Sequence, residues 1–315
     1  MQKNHLFITH VSLLGMAALW GASWPWGRVV AQSMPPVAAA CLRFLLAGAV
    51  LSLWMLRTGR WAGVPRLNTR QRWGLLAASA TGVFAYAICF LVALQNVPAS
   101  KATVVVALNP GVTLLLAALL FREPLNWKIA FGMVIAITGA LWAITGGELA
   151  QANVAGQGMG TLLLMGCVSF WVAYTLIGRA LLAQVDALTS TTLTALMGAV
   201  LLLITSLCVE GPAAWTGLAH TPWFAWLSLA GLAFGATALA YAWYLQGVLT
   251  LGAGAAASYL ALVPLFGIGF SSLWLHEPLG LPLAAGGLLA ITGMLITHIA
   301  RERMLARAKL AAGSS

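Results

Sequence analysis

Acidic residues are almost missing from this chain: Asp and Glu together number six in 315 residues, against 16 Lys and Arg. All charged residues make up only 7% of the sequence, where a soluble globular domain carries about 25%. That shortage excludes a water-facing surface of the usual kind. A hydrophobic content of 61% and a mean hydropathy of +0.94 make lipid the solvent that suits the chain. Cysteine is scarce as well. Cys41, Cys89, Cys167 and Cys208 all lie in apolar segments without close spacing. This reads as small buried side chains and not as a disulfide framework or a metal site.

Catalytic and nucleotide motifs are also lacking. Gly156-Gln157-Gly158-Met159-Gly160 has no following Lys-Ser/Thr, so it is not a phosphate loop. His276-Glu277-Pro278-Leu279-Gly280 is not HExxH, and no nucleophile–base pair stands out. An intramembrane enzyme and ATP-driven pumping by this chain are therefore disfavoured, and no cofactor or metal is expected. The first apolar run, about Leu6 to Trp26, lacks a small-residue cleavage site and is expected to stay as a membrane span. The net charge of +10 would suggest nucleic acid in a soluble protein. Here the cations sit in loops and at the C-terminus, which membrane topology explains more simply.

What is present is a series of apolar runs, each near the length of about 20 residues that crosses a bilayer core. Ten helices, α1 to α10, are predicted at 7–28, 36–57, 73–96, 99–121, 127–146, 158–179, 187–209, 222–248, 253–275 and 281–300. With the N-terminus in the cytoplasm, that side holds Lys3, Arg57, Arg60, Arg66, Arg70, Arg72, Arg122, Lys128, Arg179, Arg301, Arg303, Arg307 and Lys309. The opposite side keeps Arg28 and Lys101, and Arg43 falls inside α2. This bias predicts both termini inside an inner membrane.

The sequence also repeats. Ala136-Ile137-Thr138-Gly139 recurs as Ala290-Ile291-Thr292-Gly293, Glu123-Pro124-Leu125 as Glu277-Pro278-Leu279, and Pro110 as Pro264, all at one offset of 154 residues. Trp20…Gly27-Arg28 recurs as Trp171…Gly178-Arg179 at an offset of 151. Five helices per copy is an odd number, so the second copy enters the membrane from the other side. The predicted fold is an all-α membrane protein of ten transmembrane helices in two inverted five-helix repeats. Residues 1–150 form the first, and 151–315 the second with a basic cytoplasmic tail. Inverted repeats are a recurrent plan of secondary transporters, with the site near the midplane between halves.

The run Leu19-Trp20-Gly21-Ala22-Ser23-Trp24-Pro25, Leu42-Arg43-Phe44 in α2, and the two Glu-Pro-Leu corners resemble the EamA family of the drug/metabolite transporter superfamily. Within it they are most similar to the bacterial inner-membrane exporters of aromatic amino acids. The resemblance covers about residues 8–300. It implies a ten-helix exporter with a central cavity, for amino acids including aromatic ones. The expected partners are a small-molecule substrate and membrane lipid, and a monomer is compatible with this reading.

Candidate site residues follow from helical spacing. Trp20 and Trp24 on α1, and Tyr86 and Phe90 on α3, are four apart; Trp171 and Tyr174 on α6, and Tyr241 and Tyr244 on α8, are three apart. Helices 1, 3, 6 and 8 are matched under the repeat. Four such ridges can stack on an aromatic side chain and attract an ammonium, or can equally be packing and interface aromatics. Lys101 at the start of α4 can meet a substrate carboxylate or simply snorkel. Asn109 offers a polar contact in α4. Arg43 must face protein or water; its expected role is to bond backbone carbonyls at a broken helix end, with substrate contact as the alternative. Pro25, Pro110 and Pro264 are candidate kinks or hinges. Glu123 and Glu277 are read as caps or gates at helix ends. Gly231 and Gly235 read as close packing. No carboxylate falls within a span, which favours downhill facilitation over carboxylate-based proton coupling and argues against a multidrug exporter of organic cations. A non-transporting scaffold is the bland alternative.

Overall fold

In lipid an apolar segment can satisfy its own backbone only by forming a helix, so each long run has one option. The computed structural model describes residues 2–121, 126–145, 154–182 and 184–313, and among these no strand occurs. Among the described residues nine helices are long and apolar enough to cross a membrane, α1 (Leu6–Ser33), α2 (Pro36–Arg57), α3 (Thr69–Asn96), α4 (Ala99–Leu120), α6 (Gly158–Leu181), α7 (Ala187–His220), α8 (Trp223–Leu251), α9 (Ala255–Leu275) and α10 (Leu281–Met304), and α5 (Trp127–Ala143) is a shorter apolar helix. The ten predicted helices are thus present. The differences lie at ends: α1 runs to Ser33 and α10 continues to Gly313. Arg28 and Gln32 make the end of α1 look polar in sequence, but Arg28 is held inside the bundle and the helix goes on. The corner carrying Glu123, and the expected boundary at residue 150, lie outside the described residues.

Helices pair mainly with partners from the other half. α2 lies on α7, α4 on α9 and α5 on α10; α1 packs on α8 and α9, and α6 packs on α3 and α4. Each pairing maps onto itself or onto another under the repeat, as a pseudo-two-fold axis demands. One core therefore runs through both halves, from Trp24 and Phe44 through Phe90 to Leu164, Leu202 and Leu229.

The axis passes between α5 and α10, where four glycines bring the backbones together. A Cβ on Gly139 would lie 2.3 Å from the Ala290 nitrogen, and one on Gly293 would lie 2.3 Å from the Ala136 nitrogen. Likewise Gly132 meets the Gly293 carbonyl and Gly286 the Gly139 carbonyl. Gly132 and Gly286 are themselves 154 apart (286 − 132), so the seam is reciprocal: 139 on 286 implies 293 on 132.

The proline pair behaves alike in both copies. A tight 3-10 turn at Val105–Leu108 precedes Pro110 in α4, and its counterpart at Tyr259–Leu262 precedes Pro264 in α9, again at an offset of 154 (259 − 105). Each proline lacks the N–H that would continue the ladder, and the helix tightens just before it. α1, in contrast, continues through Pro25. π-helical segments at Ser79–Ala85 in α3 and Gly231–Leu239 in α8 also correspond. In each, a glycine lets an aromatic ring of the paired helix lie on the backbone: Tyr174 on Gly82, Trp26 on Gly231. The Gly231/Gly235 pair is thus used for packing within the chain.

Candidate functional site

The ring ridges of α1, α3, α6 and α8 converge. Trp20 meets Tyr241 edge-on at 5.4 Å between centroids and Tyr244 at 5.6 Å. Its indole N–H donates to the Ala236 carbonyl at 2.8 Å, which fixes the ring against α8. A second run is continuous: Trp24 to Phe90 (5.0 Å), Phe90 to Tyr86 (6.0 Å), Tyr86 to Trp171 (5.7 Å) and Trp171 to Tyr174 (5.7 Å). Trp24 and Phe90 are buried, while Trp20, Tyr86, Trp171, Tyr174, Tyr241 and Tyr244 are half-buried. The eight rings therefore form two groups, one on α1 and α8, the other on α1, α3 and α6.

Arg43 bridges Phe90 of the second group and α8, the helix that carries Tyr241 and Tyr244. Its guanidinium carbon lies 5.0 Å from the Phe44 ring centre and 5.7 Å from that of Phe90. Its Nε donates to the Thr237 hydroxyl on α8 at 3.2 Å. The expected bonding of Arg43 to backbone carbonyls is not what the structure holds. Helix packing puts a hydroxyl and two ring faces around it instead, and cation–π contact is worth about 2 kcal/mol when desolvated. Within the bundle it is Arg28 that bonds carbonyls at a helix end: its Nη1 donates to Leu94 at 2.9 Å and Val97 at 2.6 Å, where α3 stops.

Asn109 stands apart from the rings. Its backbone carbonyl accepts from the Thr113 hydroxyl at 2.6 Å, and its Oδ1 is buried with no hydrogen bond among the described residues. Thr103 and Ser271, on α4 and α9, carry buried hydroxyls in the same state, and a Cβ on Gly267 of α9 would touch the Thr103 hydroxyl. An unsatisfied buried polar group costs about 1–3 kcal/mol, so this crossing is not optimised for stability.

Two carboxylates from the second half each hold a helix start of the first half. α2 and α4 begin after Pro35 and Pro98, N-cap residues with no side-chain acceptor, so their first N–H groups need a partner from elsewhere. Glu277 accepts from the Ala99 and Ser100 N–H groups at 2.9 and 2.8 Å. Glu210 accepts from Val37 and Ala38, both at 2.8 Å. Glu210 is braced by the Ser206 hydroxyl at 2.9 Å, which in turn accepts from the Trp215 indole at 3.0 Å. Glu277 is flanked instead by Arg28 Nε at 3.4 Å. Both clamps lie at the end of the bundle remote from the chain termini.

A cleft of about 520 Å³ opens beside Glu277, lined by Arg28, Gln32 and Lys101 among others. Lys101 and Glu277 are thus brought together, far from the rings with which Lys101 was grouped in sequence. Arg28 and Glu210 were not singled out from sequence. The signals were that Arg28 is one of two cations on the sparsely charged side and recurs as Arg179 under the repeat, and that Glu210 opens a Glu-Gly-Pro at a helix end.

Comparison with known proteins agrees with this plan. The model of the EamA-like transporter family matches twice, at residues 7–145 and 158–299. The uncharacterized transporter YyaM of Bacillus subtilis is 27% identical over 93% of this chain and 93% of its own. The aromatic amino acid exporter YddG of Salmonella typhimurium is 26% identical over 93% of this chain and 98% of its own length. A probable terminal-alkyne amino-acid exporter of Streptantibioticus cattleyicolor is 26% identical over 89% of each chain. One solved crystal structure, 20% identical, shares the fold with a TM-score of 0.61 over 91% of this chain and 96% of that one. Two copies of one family model, which together span nearly all the helices and match the reciprocal glycine seam between them, make this chain a member of the EamA-like transporter family.

Proposed function

We propose that the chain exports neutral amino acids, aromatic ones included, across the bacterial inner membrane by alternating access. The observation that carries this reading is the pair of ring groups on four repeat-related helices, with Arg43 set between Phe90 on α3 and Thr237 on α8. Half-buried Trp and Tyr rings deep in a lipid-embedded bundle can stack on an apolar or aromatic side chain. Arg43 offers a carboxylate partner between them. The names of two relatives, exporters of an aromatic and of a terminal-alkyne amino acid, support the same class.

In this reading the halves rock about the α5–α10 seam, and Glu210 and Glu277 close the end opposite the termini. The cation bias supports cytoplasmic termini, which makes that closed end external. The aromatic tier holds the side chain, with Lys101 meeting the carboxylate nearer the exit. Transport runs downhill, since the two carboxylates within the described spans, Glu210 and Glu302, lie toward their ends. The rival export of flat organic cations is disfavoured by Arg43, whose charge repels them from the rings.

Alanine at Trp20, Tyr86 or Trp171 should lower phenylalanine flux in proteoliposomes about tenfold, the equivalent of ~1.4 kcal/mol of lost ring contact, with the protein still monodisperse. Full flux in all three variants would remove the tier from the transport path.

A further inference from the structure

The cleft beside Glu277 is separate from the aromatic tier, and its chemistry is specific. Arg28 and Lys101 supply two cations and Glu277 one carboxylate, while Leu275, Leu283 and Ala143 supply an apolar wall. The Arg28 and Glu277 side chains are only 20% and 10% exposed, so their charges are partly desolvated. A volume of about 520 Å³ lies within the range of about 300–1,000 Å³ typical of small-molecule sites.

We propose that this cleft is an outer site for a zwitterionic α-amino acid with an apolar side chain, which binds by exchanging partners with the Arg28–Glu277 pair. The inference rests on the amino-acid reading above. The ligand's carboxylate takes Arg28, on the side of the cleft that Lys101 also lines, and its ammonium takes Glu277. Exchange of this kind keeps Arg28 and Glu277 each paired. A lone anion on Arg28 would strand Glu277, a lone cation on Glu277 would strand Arg28, and an unpaired buried charge is strongly unfavourable. The apolar wall takes the side chain.

Glu277 has a second duty. The same carboxylate that pairs with Arg28 caps Ala99 and Ser100. Drawing it toward an ammonium uncaps α4 and loosens the α9–α10 corner from the first half. The leaving substrate thus unlatches the end through which it leaves. Glu210 lacks this coupling, because Ser206 and not a cation braces it.

Equilibrium binding of labelled phenylalanine to the full-length protein in lipid nanodiscs tests the proposal. Two phenylalanines per chain are expected in the wild type, and one in Glu277→Gln. Because Glu277→Gln removes a cap and can misfold, Gln32→Trp, which fills the cleft mouth from an exposed position, should give the same loss. Phenethylamine and N-acetylphenylalanine, each with a single charge, should fail to displace the outer phenylalanine. Displacement by either analogue, or two phenylalanines retained in Gln32→Trp, would overturn the outer site. One phenylalanine per wild-type chain, lost in Trp171→Ala, would overturn it while leaving the aromatic tier intact. No phenylalanine bound at all would overturn both readings.

Discussion

The two halves of this protein are joined in two unlike ways. Along α5 and α10 they meet through Gly132, Gly139, Gly286 and Gly293, backbone against backbone, with no charge in the contact. At the end remote from the termini they meet through Glu210 and Glu277, each holding the N–H groups of a helix start. The glycine seam has no charged partner to exchange and no room for a methyl group. A capping carboxylate can trade one donor for another at small net cost. In a rocking mechanism the first is suited to be the pivot and the second the latch. The latches differ in turn: Glu210 is tied to Ser206 and Trp215, whereas Glu277 faces Arg28 and an open cleft.

The largest expected effect breaks the seam. Valine at Gly139 would press a branched side chain against the Ala290 backbone nitrogen, 2.3 Å from the first added carbon. Backbone on both sides cannot yield, so a loss beyond ~3 kcal/mol is expected. Gel filtration should show little monodisperse protein, and Gly293→Val should do the same because the contact is reciprocal. Next comes the braced latch. Glu210→Ala leaves the Val37 and Ala38 N–H groups without a partner, and a lost cap costs about 1 kcal/mol. The variant should fold, melt a few degrees lower and exchange substrate faster.

Rescue sharpens the comparison further. Serine at Pro98 supplies α4 with its own cap, so Pro98→Ser should recover most of the Tm lost in Glu277→Gln, by ~0.5–1 kcal/mol. Failure to recover would mean that Glu277 acts chiefly through Arg28. The smallest effect lies outside the membrane, where Arg60 bonds Asp186 and the Asp186 carboxylate caps α7 at Leu188 and Thr189. Burial raises the Asp186 pKa, but the Thr189 hydroxyl and N–H together with Arg60 outweigh it and hold the carboxyl below its usual range. A depressed folded-state pKa adds stability above the ordinary carboxylate value, and this is lost as pH falls through the folded value. Asp186→Asn should therefore lower Tm slightly at pH 7, by less than about 1 kcal/mol for so exposed a pair, and the difference should shrink as pH falls below the ordinary carboxylate range.

Much of the fold was legible because lipid leaves a chain few choices. Run lengths located all ten helices, and the offset of 154 announced the inversion. The seam shows where legibility stops: Gly132 and Gly286 obey the same offset, but they are two among 33 glycines and carry no local mark. The π segments have no residue signature. Rings three and four apart on one helix could be paired from sequence, and the pairing of Trp20 with Tyr241 across 221 positions (241 − 20) could not. Arg43 was misread because a buried arginine can be satisfied by carbonyls, hydroxyls or rings, and only the packing of α8 selects Thr237. Glu277 was recognised at its helix end, but its partners, Ala99 and Ser100, lie 178 and 177 positions away.

The central claim, amino-acid transport through the aromatic tier, is tested most directly by counterflow in proteoliposomes loaded with unlabelled phenylalanine. Labelled phenylalanine, tryptophan and leucine should accumulate transiently, while lysine, glutamate and tetraphenylphosphonium should not. Counterflow of tetraphenylphosphonium with none of the neutral amino acids would contradict the account.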